Sequence, residues 1–181
     1  MDFRRTAERL LKAFEMEGVR YGLIGGFALG LWGVHRSTVD IDFLVHRDDL
    51  PKVDRIMRAL GYESRFRSEN VSQFTSPLAV FGEVDFLHAF REAAVGMLER
   101  AEEREVFSGA LTLRVVRPED LIGLKVQAMT NDERRQAGDL ADIEALLDLH
   151  GKTVDWERIE GYFALFDGEH LFAALKEKYH G

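Results

Sequence analysis

Two aspartates, Asp40 and Asp42, occupy alternate positions of the run "DIDFLV", which otherwise has the apolar character of a buried strand. Side chains two residues apart on a strand point to the same face, so this spacing places two carboxylates side by side. Such a pair destabilises a fold unless a positive group lies beside it. Carboxylate oxygens are hard ligands that suit Mg²⁺ or Mn²⁺, and protein-bound Mg²⁺ usually keeps contacts with substrate phosphates. The pair therefore predicts a divalent cation site.

A third acid, Asp85, lies in a second apolar run, "EVDFLH". If the strand that carries it lies beside the first, three carboxylates converge on one place. Three carboxylates suit a site with two metal ions about 4 Å apart, where one ion activates an attacking oxygen and the other stabilises the leaving oxygen. Glu83 shares a strand face with Asp85 and is a lesser candidate ligand. A strand bearing two acids is more often simply a solvated face. The prediction depends on order and spacing, because a Gly-Gly helix start, Gly25 and Gly26, precedes the pair by about 15 residues and the third acid follows on a later strand.

The residues that precede the aspartate pair suggest a phosphate site. Gly25 and Gly26 follow the predicted strand "VRYGLI" and open a short predicted helix. Glycines at such a turn let a phosphate approach the backbone, and the first N–H groups of a helix point toward it. Arg36 could reach a phosphate oxygen, whereas Thr38 is expected to hydrogen-bond within its loop and fix the loop's shape.

The elements that must position these residues can be predicted from the hydrophobic periodicity, which changes near Pro118. Before it, helices and strands alternate: a first helix ends at Gly18, a hairpin turns at "RSEN", a strand covers "AVFGEVDFLH", and a helix covers about 91–103. After it, the pattern is helical throughout. We expect an α+β fold, a mixed sheet flanked by helices, with a core at residues 1–117. We expect residues 118–181 to form a helical segment packed on that core, giving a single compact domain overall.

Composition limits the classes of function. The chain has 181 residues and a formal net charge of -8, which argues against a protein that binds nucleic acid through bulk positive charge. It has no cysteine, which excludes disulfides, thiolate nucleophiles and zinc–thiolate sites. No apolar run approaches the roughly 20 residues that span a bilayer, so we expect no membrane partner and a cytoplasmic location.

The stretch "GGFALGLWGVHRSTVDIDFLV" followed by "EVDFL" resembles the signature of the nucleotidyltransferase superfamily related to DNA polymerase beta. Its "R-x-T-x-D-I-D" form, residues 36–42, is similar to that of minimal bacterial nucleotidyltransferases of the AbiEii-related type. The resemblance implies transfer of a nucleoside monophosphate from a nucleoside triphosphate to an acceptor hydroxyl, with pyrophosphate leaving. It also implies that Asp40, Asp42 and Asp85 bind Mg²⁺ or Mn²⁺ and are catalytic, and that Asp85 orients or deprotonates the acceptor.

The resemblance continues more loosely beyond Pro118. "PEDLIGLKVQAM" and "DLADIEALL" look like later lysine and aspartate motifs, which would give Lys125 and Asp139 roles in nucleotide binding. Lys125 falls on an apolar helical stripe and needs a partner: it either snorkels to solvent or is held toward the triphosphate. Asp139 and Asp142 either cap, pair with Lys125 or contact substrate. Gly138 stands where the group often has a basic residue, which leaves the role of Asp139 open.

The acceptor is left open between RNA, a small molecule and another protein. One alternative is a toxin that acts on tRNA or other RNA and pairs with an antitoxin. Another is a catalytically silent nucleotide-binding module, although such a relative would be expected to have lost one of the three acids.

Overall fold

The computed structural model describes residues 1–180, which form eight α-helices and seven β-strands. The helices are α1 (Phe3–Glu17), α2 (Gly25–Leu31), α3 (Leu50–Ala59), α4 (Glu92–Arg100), α5 (Pro118–Asn131), α6 (Gln136–His150), α7 (Trp156–Ala164) and α8 (Glu169–Tyr179). The strands are β1 (Tyr21–Ile24), β2 (Asp40–His46), β3 (Glu63–Arg67), β4 (Val71–Thr75), β5 (Glu83–Ala89), β6 (Glu102–Val106) and β7 (Leu111–Val115). None of the helices in this range is long and apolar enough to cross a membrane.

The described chain divides into two compact units. The first contains residues 1–28 and 36–116, and the second contains residues 29–35 and the described residues from Arg117 onward. All seven strands belong to the first unit, and α5 to α8 belong to the second. The proposed packing of the C-terminal helices into a single compact domain stays a prediction.

The strands form one mixed sheet in the order β3-β4-β5-β2-β1-β7-β6. β2 pairs in parallel with β5, and β1 pairs in parallel with β7, while the remaining neighbours are antiparallel. β3 and β6 are the edges, and the pairing of β3 with β4 shifts register between Ser64 and Phe66. The mixed sheet with flanking helices confirms the predicted α+β class.

Aromatic packing fixes which face of the sheet is buried. Phe43 on β2 and Phe86 on β5 stack with ring centroids 5.8 Å apart, and Phe14 of α1 meets the Phe43 ring edge-on at 5.3 Å. All three side chains are almost completely buried. Because successive strand residues alternate between faces, burial of Phe43 and Phe86 turns their neighbours Asp42 and Asp85 to the opposite face.

Capping defines the first helix at both ends. The Asp2 carboxylate accepts a hydrogen bond from the Arg5 backbone N–H at 3.0 Å, and Gly18 ends the helix in the left-handed conformation with φ of 61°. Both are ordinary solutions to the unpaired backbone groups of a helix end. The predicted stop at Gly18 is confirmed.

The second unit is held by a close approach of α5 and α7. A Cβ atom at Gly123 would lie 2.5 Å from the Tyr162 ring, so only glycine leaves room for the tyrosine. The Tyr162 hydroxyl donates a hydrogen bond of 2.6 Å to the buried Asp120 carboxylate. This unit is entirely helical apart from its turns, as the sequence pattern beyond Pro118 predicts.

Two predicted elements have different bounds in the structure. The helix predicted over 91–103 ends at Arg100, and Glu102–Val106 instead forms β6, a strand that the sequence pattern did not predict. It pairs with β7 through a turn in which Phe107 and Ser108 both have positive φ. The strand predicted to begin at Ala79 begins at Glu83, because Gly82 has a φ of 60° and belongs to a loop.

Candidate active site

The two aspartates of β2 lie on the face of the sheet away from the aromatic core. Asp40 and Asp42 are half-buried, whereas the intervening Ile41 has no exposed surface. Residues 40–43 thus alternate as expected where a strand is buried on one face only, whereas Leu44 and Val45 beyond them are both buried. As predicted, the Asp40 and Asp42 carboxylates lie on one face of the sheet.

β5 brings the third predicted acid beside them. In the parallel pairing of β2 with β5, Asp42 is directly opposite Asp85, and Asp40 is opposite Glu83. Residues in register on neighbouring strands share a face, so four carboxylates lie on one patch of two strands. We call Asp40, Asp42 and Asp85 the acid triad.

A neighbouring strand supplies a partner that the sequence pattern did not suggest. Gln73 on β4 is opposite Asp85 in the antiparallel pairing, and its Nε2 donates a hydrogen bond of 2.7 Å to Asp85 Oδ2. Glu83 has a different partner, because Arg65 Nη1 of β3 lies 2.6 Å from its Oε1. Only the register of β4 with β5 could have identified Gln73 as this partner, and the sequence does not reveal that register.

The two glycines are required by the acids and their loop. Gly25 has a φ of 68°, and a Cβ atom there would lie 1.9 Å from Asp42 Oδ2. At Gly26 a Cβ atom would lie 2.8 Å from the Thr38 side chain. Glycine at these positions therefore leaves space for the Asp42 carboxylate and for Thr38. Their predicted contact with phosphate stays a prediction.

Thr38 makes a local hydrogen bond, and its predicted role in nucleotide binding stays a prediction. Its hydroxyl donates a hydrogen bond of 2.9 Å to Asp40 Oδ1, which links the loop before β2 to the first acid of the triad. Arg36 lies two residues earlier in the same loop and is exposed. The loop thus carries a side chain that orients Asp40 and a cation close to it in sequence.

The electrostatic environment of the triad is unfavourable to further negative charge. Burial raises the pKa of the Asp85 carboxyl; the bond from Gln73 opposes that shift, and the charge of Asp40 adds to it. A half-buried carboxylate beside others gains from any cation bound there. The donor set, oxygen atoms from three aspartates on one face, suits Mg²⁺ or Mn²⁺. As they stand, however, the side chains of residues 1–180 include no group of three His, Cys, Asp or Glu close enough to hold a metal ion.

The two remaining predicted residues belong to a cluster of ion pairs within the second unit. Lys125 Nζ of α5 lies 2.7 Å from Asp139 Oδ1 and 2.7 Å from Asp142 Oδ2, both on α6. Arg135 Nε adds a contact of 3.1 Å to Asp139 Oδ2. Lys125 and both aspartates are largely buried, with side-chain exposures of 11%, 4% and 10%. Asp139 and Asp142 thus pair with Lys125, and a contact of either with substrate stays a prediction.

Comparison with known proteins agrees with this reading of the fold. Residues 1–165 match the sequence model of one family, described as an uncharacterised nucleotidyltransferase. No curated protein matches the sequence.

Solved structures with the same fold share little sequence with the chain. The solution structure of the antibiotic-resistance factor ANT(2'')-Ia has a TM-score of 0.65 and 16% identity, covering 99% of each chain. A crystal structure of ANT(2'')-Ia with adenylyl-2''-tobramycin has a TM-score of 0.63 and 15% identity, covering 90% of this chain and 95% of that one. The lincomycin-bound lincosamide antibiotic adenylyltransferase LnuA has a TM-score of 0.57 and 16% identity, covering 80% and 96%.

Proposed function

Because this chain belongs to the uncharacterised nucleotidyltransferase family, we propose that it moves a nucleoside monophosphate from a nucleoside triphosphate to an acceptor hydroxyl at the acid triad, with pyrophosphate leaving. The observation that carries the proposal is the register of β2 with β5. It sets Asp42 against Asp85 on the face of the sheet opposite the aromatic core, two residues from Asp40. A catalytically silent relative would have no need for three partly exposed acids on one sheet face.

The proposed roles follow from position. Asp40, Asp42 and Asp85 would hold Mg²⁺ or Mn²⁺. When bound, the metal would neutralise charge on the phosphates and activate the attacking oxygen. Asp85 would orient or deprotonate the acceptor hydroxyl. Gly25 and Gly26 would contact the triphosphate, with Arg36 reaching a phosphate oxygen and Thr38 fixing the loop around Asp40.

Lys125 and Asp139 have weaker support as nucleotide ligands. The charge of Lys125 is already compensated by two carboxylates within its own unit, and Asp139 also accepts from Arg135. These ion pairs support a structural role. A contact of either residue with the nucleotide stays a prediction. The assignment to the AbiEii-related type also stays a prediction, since it depends on the sequence resemblance alone.

We propose a small hydroxyl-bearing molecule as the acceptor. Two structures with this fold were solved with adenylyl-2''-tobramycin and with lincomycin, both small molecules. The local charge supports the same choice, because Asp40, Asp42, Glu83 and Asp85 share one patch in a chain of net charge -8. RNA phosphates approaching such a patch would be repelled unless metal ions or arginines compensate.

The test is transfer of label. The protein is incubated with each nucleoside triphosphate labelled at the α-phosphate, with Mg²⁺, and with tobramycin, lincomycin, total cellular RNA or cell protein in parallel. The control variant is Asp42→Asn. We expect release of pyrophosphate and transfer of the label to tobramycin or lincomycin. Both should be lost with Asp42→Asn. Label in RNA would instead support the toxin alternative and a search for an antitoxin. No pyrophosphate from any triphosphate would contradict the proposed function.

A further inference from the structure

The partner of Asp85 is a neutral amide. Gln73 Nε2 lies 2.7 Å from Asp85 Oδ2, and the two residues are directly opposite on β4 and β5. An ionised carboxylate can only accept hydrogen bonds, so the amide nitrogen, and not its oxygen, must face Asp85. The bond therefore fixes the orientation of both side chains.

The neighbouring acid on the same strand face is held differently. Glu83 has the guanidinium of Arg65 at 2.6 Å, which compensates its charge. Gln73 brings no charge to Asp85. A neutral donor restrains one carboxylate oxygen while the carboxylate keeps its full negative charge. Of the two β5 acids, Asp85 is thus the one whose charge remains available to a substrate or a cation.

The hydrogen bond that restrains Asp85 Oδ2 also determines the direction in which Asp85 Oδ1 points. With Oδ2 tied toward β4 by Gln73, rotation of the carboxylate about its Cβ–Cγ bond would break a bond of 2.7 Å. Oδ1 is then held in one direction. Groups that fix a reacting side chain in this way lower the cost of reaching the reactive geometry.

We propose that Gln73 is a positioning residue, which holds Asp85 Oδ2 so that Oδ1 is presented to the acceptor hydroxyl. The inference rests on the proposed function of the acid triad. It adds no chemical step and assigns Gln73 no contact with the reacting atoms. Its effect is expected on the turnover rate and not on the binding of the triphosphate.

The experiment compares three variants with the wild type. Gln73→Leu removes the donor with little change of size. Gln73→His restores a donor, because its Nε2 reaches about as far as the glutamine amide. Thr75→Val is the matched control, since Thr75 lies on the same strand and the same face, opposite Glu83. Melting temperatures are measured first to show that each variant is folded.

Pyrophosphate release is then followed with a mixture of the four nucleoside triphosphates, Mg²⁺, tobramycin, lincomycin and total cellular RNA. Water and each added molecule can therefore serve as acceptor. We expect Gln73→Leu to lower kcat by about 10- to 100-fold, as loss of a group that orients a ligand does, with the triphosphate KM changed less than about twofold. Gln73→His should recover most of the rate. Thr75→Val should keep it.

Three results would overturn the inference. If Gln73→Leu keeps the wild-type kcat, or if Gln73→His is as slow as Gln73→Leu, the amide does not position Asp85 and the proposed function is unaffected. If the wild type itself releases no pyrophosphate, the proposed function fails and this inference fails with it.

Discussion

The close contact between Gly25 and Asp42 gives the sharpest prediction. Replacing Gly25 with alanine would place a Cβ atom 1.9 Å from Asp42 Oδ2, where ordinary contact begins at 3.4 Å. The carboxylate or the turn must therefore move by about 1.5 Å, and displacements of about 1 Å at a reacting group can cost 100-fold in rate. The φ of 68° adds about 1 to 2 kcal/mol of backbone strain for a non-glycine residue.

We expect Gly25→Ala to lower kcat for pyrophosphate release by about 100-fold or more. The strain should lower the melting temperature by about 2 to 8 °C, given the usual shift for a chain of this size. Gly30→Ala is the control, because it lies in the same helix with no atom within 4 Å of the added Cβ. That variant should keep its activity and gain up to about 1 kcal/mol of stability. A Gly25→Ala protein with wild-type kcat would refute the assignment of Asp42 to the site.

Three further predictions concern charge and stability. Lys125→Met should destabilise the fold by about 3 to 5 kcal/mol in urea unfolding, because it leaves Asp139 and Asp142 buried without their lysine. Replacing both acids with asparagine in the same protein should recover most of the lost stability. Burial lowers the pKa of His88 from 6.5, so wild-type stability should fall as the pH drops below 6.5, and His88→Asn should show a shallower fall in melting temperature. Burial raises the pKa of Asp85 from 3.8, so ionisation of this carboxyl lowers the stability of the fold as the pH rises. With a chelator present, Asp85→Asn should therefore melt at a higher temperature than the wild type at pH 7, and the two melting temperatures should converge below pH 3.8.

The parts of the site that lie close in sequence could be predicted, because local rules govern them. Asp40 and Asp42 share a face because strand residues alternate, and Thr38 bonds to Asp40 across two residues. Asp85 is 43 residues beyond Asp42, and the sequence resemblance, not periodicity, connected them. The observed pairing requires β5 to return parallel to β2 after two antiparallel strands. Nothing local in the sequence specifies that return.

Long-range register explains the residues and elements that were missed. The contact of Gln73 with Asp85 depends on the loop between β4 and β5, and shifting either strand by one residue would turn one side chain to the other face. β6 was missed because "EEREV" is rich in residues that also suit helices, so pairing with β7 overrides the local preference. The Lys125 stripe indicated that a partner was needed, but which acids supply it depends on how α5 meets α6.

The two edge strands of the sheet affect whether copies of the chain associate with one another at high concentration. An edge strand offers unpaired backbone N–H and C=O groups, to which a strand of another molecule can add. All five residues of β3 are exposed; Arg65 lies within its register shift, and Arg67 follows the shift by one residue. β6 carries Glu102, Glu103, Arg104 and Glu105 in succession. An added strand would have to displace ion pairs at the first edge and bury consecutive charges at the second. The charged residues at both edges therefore disfavour polymerisation of the chain by strand addition to its sheet.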